Sequence, residues 1–289
     1  MARATAGCRL VAQLSDPHIL DAGARTASTS GIDTEAFLRR AVAVLLTLDP
    51  APDLVLCSGD LTNDGTPSQY DNLARILAPL PMPVRLLCGN HDRRAALRAA
   101  FTTHHYLSSA PVGPADTDGP CAYVVEDLAP LRLVVLDSVI PGSDAGGLDG
   151  EQLAWLDSQL GAQPTRPTMV VLHHPPFATG IAFMDAMALQ PASIDALASV
   201  LRRHRHVERV ICGHLHRAVT VAFAGTVAMS APSTAHAIAL HLNRAGSGAW
   251  TLEPPAMLLH LWSPATGLVT HHRSLVAFED RPFDEAGLG

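Results

Sequence analysis

Residues 86–94 read LLCGNHDRR. An apolar run reaches a glycine, and Asn90, His91 and Asp92 follow without a break. A buried strand that ends on an amide, an imidazole and a carboxylate must give those groups partners, because buried polar atoms are rarely left unbonded. Four more apolar runs end in the same way. They are QLSDPH at 13–18 with Asp16 and His18, LVLCSGD at 54–60 with Asp60, VVLHHPP at 170–176 with His173 and His174, and VICGHLH at 210–216 with His214 and His216. In an open α/β sheet, ligands bind beyond the carboxyl ends of the strands. Counting Asp16, His18, Asp60, Asn90, one of His173 and His174, His214 and His216, five such ends would bring two carboxylates, four imidazoles and one amide to a single crevice.

That mixture suits borderline divalent or trivalent metals, and it needs no thiolate, unlike a Cys-rich structural zinc site. Seven donors are too many for one ion and fit two if a carboxylate is shared. Ions bridged in this way sit roughly 3.5–4 Å apart and clamp the attacking and leaving oxygens of a phosphoryl substrate. A lone Asp-x-His or Gly-Asp is ordinarily a turn. The metal reading rests on all five ends, each behind an apolar strand. His214 and His216 strengthen it, since residues two apart in an extended segment face the same way.

Around these ends, short apolar runs alternate with amphipathic segments. Strands are expected at Leu10–Leu14, Leu54–Cys57, Val84–Cys88, Leu131–Leu136, Met169–Leu172 and Val207–Cys212. Helices are expected at Glu35–Leu48, capped by Asp33 or Thr34, and at Pro67–Leu77, Arg93–Phe101, Gly150–Leu160 and Ser193–His204. The alternation predicts an α/β layered fold. Hairpins are expected where Ala122–Val125 meets Leu131–Leu136 and where Val219–Phe223 meets Thr226–Met229, so the sheets should be mixed. The whole of 1–289 reads as one domain. The stretch 110–119 is a Pro/Gly/Asp-rich loop, 231–257 a possible cap or dimerisation segment, and the tail FEDRPFDEAGLG is expected to be poorly ordered.

Composition narrows the partners. With 48% hydrophobic and 16% charged residues, the chain of 289 can bury a core. All 20 basic residues are Arg, and the net charge of -7 with no basic stripe argues against a nucleic-acid surface. The five cysteines form no CxxC pair, and Cys57, Cys88 and Cys212 lie in apolar runs, so they are expected to be buried and reduced. No apolar run reaches the ~18 residues of a membrane span, and the first residues carry no apolar secretory core. A soluble, cytoplasmic protein is expected.

The set DPH, GD, GNHD, HH and GHLH resembles the calcineurin-like metallophosphoesterases from residue 10 to about 220. SGDLTNDGTPSQY, LLCGNHDRRAAL, LHHPPF and CGHLH resemble the bacterial class III cyclic-nucleotide phosphodiesterases and the broad-specificity glycerophosphodiesterases. The resemblance implies a four-layer α/β/β/α sandwich with two mixed sheets. It implies one metal on Asp16, His18, Asp60 and His216, and a second on Asp60, Asn90, His173 and His214, with Asp60 bridging. Iron, manganese, zinc or cobalt all suit these donors. It makes His91 a substrate contact that assists the leaving group, and His236, within SAPSTAHAIAL, a residue near the substrate entrance. His174 then supports the ligands without being one. Asp92 either orients His91 or holds its loop, and Asn63 either touches substrate or closes a turn. The phosphatase motif GDxxDRG reads GDLTNDG here, and the missing Arg removes a phosphate clamp of monoesterases. The expected activity is hydrolysis of small phosphodiesters, foremost 3′,5′-cyclic nucleotides of the cAMP type, with glycerophosphoethanolamine-type diesters as the alternative. A metal-binding module without activity is the remaining reading. A homodimer or larger assembly is also implied.

Overall fold

The computed structural model describes residues 7–26, 31–108, 119–125, 127–242 and 248–279. The loop expected at 110–119 falls outside these up to residue 118, as does the tail from residue 280. The strands are β1 Arg9–Leu14, β2 Leu54–Ser58, β3 Val84–Leu87, β4 Tyr123–Val125, β5 Arg132–Val135, β6 Thr168–Val171, β7 Val207–Cys212, β8 Val219–Phe223, β9 Thr226–Ser230, β10 Ala237–Ile238, β11 Trp250–Thr251, β12 Ala256–Ser263 and β13 Gly267–Ser274. The helices are α1 Thr34–Thr47, α2 Pro67–Leu77, α3 Arg94–Ala100, α4 Gly150–Ala162, α5 Ala182–Asp185 and α6 Pro191–Leu201.

Local chemistry places these elements. Asp33 caps α1 by accepting from Ala36 N, and Thr66 caps α2 ahead of Pro67. The β8–β9 hairpin turns on Ala224 and Gly225, both with positive φ, as a tight primed turn requires. Helix α6 starts at Pro191, two residues before the expected start and again with proline in its first turn.

One sheet has the order β13-β12-β1-β2-β3, the other β4-β5-β6-β7-β9-β8. β1, β2 and β3 run parallel, as do β5, β6, β7 and β9, while antiparallel strands flank each parallel set. Both sheets are therefore mixed. Strand parity then builds the layers. Leu54 and Leu56 join Leu133, Val135, Met169 and Val171 in a core between the sheets. Val55 and Cys57 turn the other way onto α1 and α2, and Val134 and Val170 turn onto α4 and α6. The result is the α/β/β/α sandwich.

Two findings depart from the sequence reading. The longest strands, β12 and β13, were not anticipated; β12 lies antiparallel to β1, with Gln13 opposite Leu258. The stretch 231–257 is not one appended cap. Its first residues are buried beneath the strand ends, where Ser233 Oγ donates to Asp16 O and Thr234 N to Ser15 O. Only β10 and β11 form a separate arm, and β12 begins at Ala256.

Candidate metal centre

The parallel strands of both sheets end at the same edge, so the polar residues after β1, β2, β3, β6 and β7 converge. The turns that carry them are unusual. Asp16, His18, Asp60, His214 and His216 all hold φ between 45° and 67°, and the only other described non-glycine residue with positive φ is Ala224. Left-handed backbone is costly for such residues and collects at functional sites. Glycines let the turns approach one another: a Cβ on Gly89 would collide with the backbone N and carboxylate of Asp60, and one on Gly59 with the His173 ring.

Asp16, His18, Asp60 and His216 form one buried group of donor atoms. His18 Nε2 lies 3.1 Å from His216 Nε2 and 3.6 Å from Asp60 Oδ2, and His216 Nε2 lies 3.5 Å from Asp16 Oδ1. On the other side of Asp60, His173 Nε2 is 3.5 Å from the same Oδ2 and 3.2 Å from Asn90 Oδ1. Asn90 Oδ1 is in turn 3.1 Å from His214 Nδ1. Asp60 Oδ1 is engaged by the backbone N–H of His91, which leaves Oδ2 between the two groups. His174 packs against His173 and His214, with ring centroids 4.9 and 4.7 Å away, and its Nδ1 meets Ser138 Oγ.

The surroundings fix which nitrogen faces inward. His173 Nδ1 donates to Ser58 O and His216 Nδ1 to His236 O, so both Nε2 lone pairs point into the cluster. Below this runs a buried polar chain: Gln13 donates to Ser58 Oγ and Cys212 O, and its Oε1 accepts from His260 on β12.

The donor set fits two cations. Burial holds His214 down to about 3 and His216 to about 4, so both stay neutral, as metal ligands must be. Burial pushes Asp16 up to about 7, a carboxylate calling for a counter-charge. Burial also opposes the Asp60 charge, but His173 and His18 outweigh it and keep Asp60 ionised. His214 Nε2 is buried without a hydrogen-bond partner, and two imidazole nitrogens face each other at 3.1 Å in the first group. Oxygen and nitrogen donors in buried groups around one carboxylate are the chemistry of a dinuclear divalent centre.

His91 is half-buried beside the cluster, its ring set edge-on to His18. Nδ1 donates to Asn63 O at 2.8 Å. Burial lowers its basicity, but the Asp60 charge and the Asn63 carbonyl raise it further, for a net upward shift. Asp92 does not touch the His91 ring. It accepts from Gly89 N, Leu61 N, Thr62 N, Thr62 Oγ1 and Tyr70 OH, so it ties the loops after β2 and β3 together. The Asn63 amide bonds Asp64, and it is the Asn63 backbone carbonyl that holds His91.

A cavity of about 350 Å³ opens over the cluster. His91, Asn63 and His236 all line it, and the His236 ring meets His216 edge-on with centroids 4.5 Å apart. The described lining holds no Arg, while the exposed Arg93 lines an adjoining cavity of about 240 Å³. Sequence reasoning missed Thr26, Asp144, Phe183, Met184, Met187 and Ile238, which complete the wall. Phe183 and Met184 sit in the four-residue helix α5 and Ile238 in the two-residue strand β10, both too short to show a spacing, and Thr26, Asp144 and Met187 sit in connections.

The chain is similar to several known proteins. A family model for calcineurin-like phosphoesterases matches residues 10–218. A probable glycerophosphodiester phosphodiesterase of Arcobacter nitrofigilis is 32% identical over 93% of this chain and 94% of its own. A 3′,5′-cyclic adenosine monophosphate phosphodiesterase of Pseudomonas aeruginosa is 31% identical over 74% and 72% of the two chains. In fold, a dimetal phosphatase from Danio rerio superposes with a TM-score of 0.63 at 16% identity, covering 93% of this chain and 99% of that one. On the family match and these identities, the chain belongs to the calcineurin-like phosphoesterase family.

Proposed function

We propose that this enzyme is a metal-dependent phosphodiesterase of the cytoplasm that hydrolyses small diesters, foremost 3′,5′-cyclic nucleotides. The observation that carries the reading is Asp60 Oδ2, set between two buried donor groups and close to the Nε2 atoms of both His18 and His173. Asp16, His18, Asp60 and His216 would hold one cation, and Asp60, Asn90, His173 and His214 the other, with iron, manganese, zinc or cobalt suited to the donors. Bound there, the pair supplies Lewis acidity toward the phosphoryl oxygens and a nucleophile near neutral pH.

The chain's own groups do the rest. Asn63 O fixes the His91 tautomer, which leaves Nε2 for the substrate. With its pKa raised, His91 can carry a proton on each nitrogen; it gives the Nε2 proton to the departing alkoxide and is left as the neutral ring with Nδ1–H on Asn63 O. Asp92 keeps the Asn90–His91 turn in register with the loop that carries Asp60. Asn63 and His236 contact the ester groups from the cavity wall. With no arginine in the described lining, nothing there forks onto the extra charge of a monoester, which favours a diester.

The similarity to the Arcobacter protein favours a second reading, a glycerophosphodiesterase. The test is turnover by manganese-reconstituted protein on bis(4-nitrophenyl) phosphate, 4-nitrophenyl phosphate, 3′,5′-cyclic AMP and glycerophosphoethanolamine. Preferred turnover of cyclic AMP supports the first reading, and preference for glycerophosphoethanolamine the second. Activity on the monoester alone sinks both, and stoichiometric metal without any turnover would return the chain to a binding role. We further propose a homodimer or larger assembly. The exposed Leu240 and Leu242 after β10 and Leu252 after β11 support it, and a monomer by light scattering at micromolar concentration would count against it. Among the described residues no helix is long and apolar enough to cross a membrane.

A further inference from the structure

Phe183 keeps 40% of its surface exposed, and it does so in the wall of the cavity above the donor cluster. Single exposed apolar side chains are common and need no explanation. Phe183 is not alone: Met184, Met187 and Ile238 line the same cavity. Met184 is buried in the outer core of the second sheet and anchors the short helix α5. The Asp185 carboxylate accepts from Thr179 N, Thr179 Oγ1 and Gly180 N, which closes the turn before the helix. Leu189 N donates to Pro175 O and ties the two ends of the segment together. Gly248 lies so close to the Phe183 ring that any Cβ there would collide with it. The ring is therefore presented by a braced element, next to polar groups that have no use for it.

We propose that Phe183, with Met187 and Ile238, forms the subsite for an aromatic ring on the ester group, a nucleobase or an aryl alcohol, while the donor cluster takes the phosphoryl group. The proposal rests on the phosphodiesterase reading and gives it a substrate class. A flat ring leaves water to meet the Phe183 face and the polarizable Met187 thioether. A glycerol ester brings hydroxyls, for which the side chains of Phe183, Met187 and Ile238 offer no hydrogen-bond partner. A volume of about 350 Å³ is in the range of sites for small organic ligands.

The experiment compares metal-loaded wild type, Phe183→Ala and Phe183→Trp. Calorimetry gives the Kd of adenosine 5′-monophosphate and of inorganic phosphate, kinetics gives KM for cyclic AMP and glycerophosphoethanolamine, and elemental analysis gives bound metal. Loss of base stacking predicts that Phe183→Ala weakens adenosine 5′-monophosphate by about tenfold, with the phosphate Kd and the metal content unchanged. The ratio of KM for cyclic AMP to KM for glycerophosphoethanolamine should rise by a similar factor, and Phe183→Trp should keep wild-type values. Equal weakening of both ligands, or no weakening of either, overturns the proposal. A wild type that turns over no diester removes the phosphodiesterase reading by itself. The comparison of nucleotide with phosphate then still decides whether the ring subsite exists.

Discussion

His260 lies in the core between the sheets with no exposed surface. Its Nε2 donates to Gln13 Oε1 at 3.0 Å, and its Nδ1 meets Thr270 Oγ1 at 2.9 Å. Burial, with some repulsion from Arg209, holds its pKa down to about 3 from an ordinary 6.5. The group is therefore neutral in both states above about pH 6.5. Below that, the unfolded chain takes up a proton that the folded chain refuses until about pH 3, and stability falls over this window. One pH unit is worth about 1.4 kcal/mol, so at pH 4.5 the loss from this residue is ~2.7 kcal/mol. The test is urea unfolding of the metal-free wild type and His260→Leu at pH 7.5 and pH 4.5. At pH 7.5 the variant should be less stable by about 1–3 kcal/mol, because Gln13 Oε1 loses its donor. At pH 4.5 the gap should close by ~2.7 kcal/mol. The other buried histidines titrate in both proteins and cancel in the difference. A gap that does not change with pH would refute the reasoning, since it would mean that folded His260 accepts the proton freely.

Three further outcomes follow from the site. Asp60→Asn should lose both metal equivalents, whereas Asn90→Ala should lose one, and elemental analysis after gel filtration separates the two. His91→Ala should keep its metal and lose at least about a hundredfold in kcat; lost metal with normal turnover after reconstitution would contradict its assigned role. Gly89→Ala should fold yet bind metal poorly, because the new Cβ meets Asp60 backbone that cannot step aside. Wild-type metal affinity in that variant would show that the close packing of the two turns is dispensable.

The strand ends were legible because each polar group follows an apolar run that can only be a buried strand, as with Asn90 after β3 and His173 after β6. The sandwich followed from the alternation of those runs with helices. The β12–β13 hairpin did not announce itself. Its partner β1 lies some 245 residues earlier in the chain, as in the pairing of Gln13 with Leu258, and no local signal reports so distant a contact. Its outer strand also carries exposed His271, His272 and Arg273 in succession, which spoils the alternation expected of a strand. The hold on His91 was hidden for another reason. It comes from the Asn63 backbone carbonyl, and every residue has one. Asp92 was noticed, but only the packing of two loops shows that its five donors come from the loops and from Tyr70, with none from the His91 ring. Phe183 and Ile238 matter by position on a four-residue helix and a two-residue strand, too short for apolar residues to show a period.

The left-handed backbone at Asp16, His18, Asp60, His214 and His216 has an evolutionary consequence. Such a conformation costs roughly 1–2 kcal/mol for a residue with a Cβ. Aspartate tolerates the turn better than histidine, and even so the three histidines alone would take a sizeable share of an ordinary domain's net stability of about 5–15 kcal/mol. Selection for folding alone would therefore push this edge of the protein away from its present residues, toward asparagine or glycine, which tolerate the turn. Descendants freed from catalysis should shed these side chains first and keep the sandwich. The scaffold is thus one from which inactive, sturdier binding proteins can arise in a few steps, while the active form persists only where its chemistry is needed in every generation.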